Sequence, residues 1–146
     1  MKIKIIEDKT HTENTVTLTC HTITDEIQNL IDEFENVALR GIYRGSSYQI
    51  IPKDILFFET DLEIVYAHTL TGIYETKYRL YELEEALPRF FIRISKSSII
   101  NTKEVSSVDM AITSSRAVSF YDSKKKVYVS RKYYPLLKEK LNERSL

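Results

Sequence analysis

Phe90-Phe91-Ile92-Arg93-Ile94-Ser95-Lys96-Ser97-Ser98-Ile99-Ile100-Asn101 sets two apolar runs, Phe90 to Ile94 and Ile99-Ile100, around four small or cationic polar residues. The runs read as two buried strands, which puts Ser95 to Ser98 in the turn between them. Hydroxyls and an ammonium on a short loop between rigid strands suit phosphate oxygens and base edges. The same four residues also make an ordinary solvated turn, so the rest of the chain has to decide.

Outward from this stretch, strand signals dominate. Just upstream, Leu80, Leu83 and Leu87 fall at helical spacing and stop at Pro88, a short helix whose exposed side carries Glu82, Glu84 and Glu85. Before it, Ile55 to Glu59 is apolar almost throughout, as in a strand covered on both faces, and Glu63 to Leu70 and Ile73 to Tyr78 follow as further strands. Leu39 to Tyr43 and Tyr48 to Ile51 flank the turn residues Arg44-Gly45-Ser46-Ser47, with another turn at Pro52-Lys53-Asp54. Downstream, Val105 to Val108, Ala117 to Tyr121 and Val127 to Val129 are strand-like. Tyr134, Leu137 and Leu141 share a helical face, and Pro135 must lie in that helix's first turn.

The N-terminal part has a different character. Lys2-Ile3-Lys4-Ile5 and Thr15-Val16-Thr17-Leu18-Thr19 alternate polar and apolar and predict two strands. Ile23, Ile27, Leu30, Ile31 and Phe34 predict a helix capped by Thr22 or Thr24, whose opposite face is mostly acidic. A boundary near Asn36 separates this strand–strand–helix element, residues 1–41, from the β-rich residues 42–146. The fold class is mainly β with short helices.

Composition narrows the function. A chain of 146 residues with 42% apolar content makes one domain, or one domain with an appendage, and buries a real core. A single cysteine, Cys20, excludes an internal disulfide framework and suits a reducing compartment. Met1-Lys2-Ile3-Lys4 leads into Glu7 and Asp8 with no long apolar region, so a cytoplasmic protein is expected. The net charge is zero, but residues 89–146 hold 13 Lys and Arg against 5 Asp and Glu, while residues 1–88 carry the opposite imbalance. Such asymmetry points to a polyanion on the basic side, or to attraction between the two halves of one fold.

Three features, in order, resemble the LytTR DNA-binding domain of bacterial transcription regulators. They are Ile50-Ile51-Pro52-Lys53-Asp54-Ile55-Leu56-Phe57-Phe58-Glu59; the helix Leu83 to Leu87 followed by Phe90 to Asn101; and Val127-Tyr128-Val129-Ser130-Arg131-Lys132. The match covers roughly residues 42 to 142. The resemblance implies an elongated antiparallel β-sheet fold that reads DNA through loops entering successive major grooves. It maps the middle loop onto Ser95, Lys96 and Ser97, with Lys96 at the base-reading position, and the last loop onto Ser130, Arg131 and Lys132. Arg93 and Asn101 match signature positions and are expected to support the loop.

The chain departs from the family pattern at Ser95, where many relatives have His, and at Ser98, where they have an aromatic. The first reading loop, after Glu59, is shortened and leaves Thr60, Asp61, Leu62 and Glu63 as its candidate DNA contacts, with Asp61 among the expected site residues although acidic side chains repel phosphates. About 40 residues stand where a receiver domain would be, which implies a stand-alone regulator. The family's sites come as direct or inverted repeats, so a homodimer on double-stranded DNA is expected, with residues 1–41 as the dimer contact. A small membrane protein that holds the regulator in check is a further partner known for similar proteins.

Other chemistry finds no support. His11, His21 and His68 are far apart with no carboxylate or cysteine at ligand spacing, so no metal site is expected. There is no P-loop, dinucleotide fingerprint or nucleophile elbow, and hence no expectation of a cofactor, a small-molecule substrate or an enzyme. Two readings remain: a sequence-specific DNA-binding regulator, or a protein-interaction module of the same fold that acts through its acidic helix.

Overall fold

The computed structural model describes residues 2–12, 16–35, 37–109 and 116–144. In chain order the elements are α1 (Asp25–Glu35), β1 (Leu39–Tyr43), β2 (Ser46–Ile50), β3 (Ile55–Asp61), β4 (Ile64–Thr69), β5 (Ile73–Glu75), α2 (Leu80–Ala86), β6 (Phe91–Arg93), β7 (Ser98–Asn101), β8 (Val105–Val108), β9 (Arg116–Phe120), β10 (Lys126–Val129) and α3 (Tyr134–Arg144). A seven-stranded sheet runs β2-β1-β5-β4-β3-β7-β6 and a three-stranded sheet runs β10-β9-β8. Neighbouring strands pair antiparallel throughout.

β3 is the spine, and its apolar run explains why. Ile55, Leu56, Phe57 and Phe58 are all 2% exposed or less. Against β4, Ile55 faces Thr69 and Phe57 faces His68, so Leu56 is an extra residue at a bulge. The bulge breaks the simple alternation of faces. Ile55 and Phe58 point into one core with Leu80, Leu83 and Leu87, while Leu56 and Phe57 point into the other with Val118, Val129 and Leu137. The large sheet is thus covered by α2 on one face and by the small sheet with α3 on the other. Leu83 and Leu137 are almost fully buried, and burying each contributes about 1.5–3 kcal/mol.

The helix ends follow the sequence signals. Pro135 is the second residue of α3, where its missing N–H is harmless. Thr24 caps α1, its hydroxyl accepting from the Ile27 N–H at 3.3 Å. The first hairpin is tighter than its four turn residues suggested. Only Arg44 and Gly45 lie between β1 and β2, both with positive φ (49° and 80°), the geometry of a two-residue hairpin. β1 joins the large sheet from Leu39 onward, so the sheet begins before residue 42.

The predicted N-terminal strands are a correction. The described residues of both segments, 2–5 and 16–19, form neither strand nor helix; Thr15 lies outside the described residues. Ile3, Ile5 and Val16 are 79%, 87% and 71% exposed. Alternation marks a half-buried strand only where a surface covers its apolar side, and a two-stranded ribbon alone is marginal in water. On α1, Ile27, Leu30 and Ile31 are half-buried, whereas Ile23, which lies outside the helix, and Phe34 are exposed.

Candidate nucleic-acid interface

The connection from β6 to β7 is fastened at both ends. Ile94 is fully buried, and its N–H donates to the Ser98 carbonyl at 3.0 Å, closing the loop over Ser95, Lys96 and Ser97. Within the loop the Ser97 N–H donates to Ser95 Oγ at 3.2 Å, and the two serine hydroxyls lie 3.3 Å apart. Both serine side chains are therefore partly engaged in shaping the loop. Lys96 is exposed.

Arg93 braces the loop from below. Its Nε donates to the Ser95 carbonyl at 2.7 Å and its Nη2 to the Lys96 carbonyl. Its Nη1 meets Glu84 Oε1 of α2 at 3.3 Å. One planar guanidinium holds two consecutive carbonyls and a carboxylate, which no lysine could reproduce. Asn101 is 1% exposed, with Nδ2 donating to the Ile55 carbonyl at the foot of the β3 bulge (3.0 Å) and Oδ1 accepting from the Lys103 N–H (3.0 Å). Its amide is spent inside the fold.

Two backbone hydrogen bonds gather the other loops beside this one. The Thr60 N–H donates to the Ser97 carbonyl at 2.8 Å, which draws in the β3–β4 hairpin with Asp61 at its end. The Ser130 N–H donates to the Ile94 carbonyl at 2.9 Å, which draws in the segment between β10 and α3. There the Ser130 carbonyl accepts from the N–H groups of Tyr133 and Tyr134, turning the chain into α3 and leaving Arg131 and Lys132 exposed. The Ser130 hydroxyl itself is buried and without a hydrogen-bond partner among the described residues. Lys132 Nζ lies 5.6 Å from the centre of the Tyr133 ring.

The sequence reading missed two residues at this end. A groove of about 520 Å³ between the β3–β4 hairpin, the start of α2 and the middle loop has Glu63, Arg79, Tyr81, Arg93 and Lys96 among its lining residues. Arg79 and Tyr81 are exposed, and the Arg79 N–H is held by Glu82 Oε1 at 3.1 Å. The available signal was an Arg immediately before an apolar helical run with Glu three residues on, which fixes Arg79 at the helix start.

A LytTr DNA-binding domain model matches residues 45–142. The chain belongs to the LytTr DNA-binding domain family. A solved LytTr DNA-binding domain from Bacillus cereus superposes with a TM-score of 0.66 at 21% identity, covering 71% of this chain and 95% of that one. Uncharacterized HTH-type transcriptional regulators of Staphylococcus aureus are similar over nearly the whole chain: 28% identity in strain NCTC 8325, covering 97% of this chain and 99% of the relative. The MRSA252 counterpart is 27% identical over the same shares. The N-terminal residues beyond the LytTr match thus fall within the alignment to these relatives. Among the described residues no helix directly follows another, since strands separate α1, α2 and α3.

Proposed function

We propose that this chain is a double-stranded DNA-binding transcription regulator that reads sequence through loops in the major groove. The observation that carries the reading is the pair of hydrogen bonds from Thr60 and Ser130 to the flanks of the Lys96 loop. They set three loops at one end of the molecule with Lys96, Arg131 and Lys132 exposed. Lys96 donates to guanine O6 or N7, while Arg131, Lys132, Arg79 and Tyr81 meet phosphates on either side. Separation of the helices by strands also favours loops over a helix-turn-helix as the reading element.

The test is a fluorescence-anisotropy titration against duplex DNA from the gene's own upstream region and a scrambled duplex, at two salt concentrations. Tight upstream-selective binding that survives the higher salt is the expected result. Equal binding to both duplexes that salt erases would favour the interaction-module reading, for which the exposed Ile23 and Phe34 beside an acidic helix face are the supporting observation.

The reading includes two copies on one site of paired repeats, with residues 1–41 as the contact between them. Ile3, Ile5, Val16 and Phe34 are the exposed apolar groups available to it. Deleting residues 1–36 is expected to lower the mass measured by light scattering from a dimer to a monomer; an unchanged mass would remove this contact.

A further inference from the structure

The tip of the β3–β4 hairpin carries an apolar side chain where folding gains nothing from it. Leu62 is 90% exposed. Leu62 and Glu63 both have left-handed backbone, with φ of +47° and +70°. Glycine, asparagine or aspartate ordinarily occupy such a two-residue turn, and a branched apolar residue there is strained as well as solvated. Strain of this kind at an exposed tip directs attention to what the side chain meets outside the chain. The Thr60–Ser97 hydrogen bond sets this hairpin against the Lys96 loop.

The charges around Leu62 say which part of a duplex it could meet. Asp61 and Glu63 flank it and are exposed. Carboxylates are repelled by phosphates, whereas the major-groove floor offers the amino groups of cytosine and adenine as donors. A tip of this composition is tolerated over base edges and disfavoured against the backbone. The apolar group on that floor is the C5 methyl of thymine.

We propose that Leu62 is the base-reading residue of the β3–β4 hairpin and packs on a thymine methyl beside the bases faced by Lys96. This rests on the DNA-binding reading given above and assigns a role to the loop whose acidic residues argue against phosphate contact.

The experiment uses duplexes selected from a random pool by the wild-type chain, with each thymine replaced singly by uracil, which lacks only the methyl. In the wild type, uracil at one position is expected to weaken binding about fourfold, the worth of one buried methyl. In Leu62→Ala the same replacement is expected to change nothing. Leu62→Gly relieves the left-handed strain, so its melting temperature should hold or rise while the methyl-dependent affinity is lost. A selected sequence insensitive to uracil at every thymine, or an equal uracil penalty in wild type and Leu62→Ala, would overturn the assignment and leave DNA binding standing. Selection that yields no preferred sequence would overturn sequence-specific binding and this assignment together.

Discussion

The Ser130 N–H donates to the Ile94 carbonyl across 2.9 Å, joining the end of β10 to the start of the Lys96 loop. The two residues lie far apart in sequence and directly follow strands of different sheets, yet this bond fixes how Arg131 and Lys132 stand relative to Lys96. With the Thr60–Ser97 bond on the other side, the middle loop becomes the reference to which the other two are set. Geometry held by main-chain atoms survives side-chain replacement, so the cations can be changed one at a time without moving the loops.

Lys96 and Arg79 should separate by type of contact. Lys96→Ala is expected to weaken binding to a selected site about tenfold and binding to random duplex much less, because a base contact carries the discrimination. Arg79→Ala should weaken both duplexes alike and reduce the salt slope by about one, the signature of one lost phosphate contact. Anisotropy titrations across a salt series read both. Equal losses for Lys96→Ala on the two duplexes would make Lys96 a phosphate contact.

Arg93→Lys tests the brace. A lysine cannot hold the Ser95 and Lys96 carbonyls and Glu84 together. Selective binding should drop several-fold while the salt slope stays the same, since no phosphate contact is removed. Amide hydrogen exchange should rise at Lys96 and Ser97. A fall in the salt slope instead would place the Arg93 guanidinium on DNA.

Asn101→Ala removes the buried amide that serves the Ile55 carbonyl and the Lys103 N–H. Leaving these groups unpaired should cost about 1–3 kcal/mol, measurable by urea unfolding. The folded fraction should keep its preference between selected and random duplexes. Loss of preference at unchanged stability would move Asn101 from support to contact.

His68 makes stability depend on pH. Its ring stacks on Phe57 at 4.2 Å between centroids, and its Nδ1 lies 3.0 Å from Lys125 Nζ. Burial, and then the Lys125 ammonium, push its pKa down from 6.5 to about 4. Between these values the unfolded chain binds a proton that the folded chain refuses. The His68 contribution is therefore complete above pH 6.5 and is lost as the pH falls toward 4. The shift alone corresponds to about 3 kcal/mol, and partial solvent screening reduces that to about 1–2 kcal/mol. Thermal melts of wild type and His68→Phe from pH 7 to pH 4 should show the slope in the first and a flatter profile in the second.

The legible parts of this protein were those written in local pattern. Ile55 to Phe58, an apolar run without alternation, announced a strand covered on both faces, and Leu80, Leu83 and Leu87 before Pro88 announced the short helix. The order of motifs around Phe90 to Asn101 led to the family that the model match shows. Local pattern misled at the N-terminus, where Ile3, Ile5 and Val16 alternate properly but meet no covering surface.

From Leu39 onward the sequence by itself determined which segments extend and which coil, because period and turn chemistry act between near neighbours. It also carried the motif order that marks the family. Only the tertiary structure decided what each candidate side chain is free to do. Asn101 and the Ser130 hydroxyl are buried, Arg93 is committed to two carbonyls and a carboxylate, and Arg79 and Tyr81 come to stand beside Lys96. The reason is physical: burial, the Asn101–Ile55 and Ser130–Ile94 bonds and the groove beside Lys96 are made with residues distant in sequence, and the near-neighbour bonds of Arg93 exist only once the loop is folded.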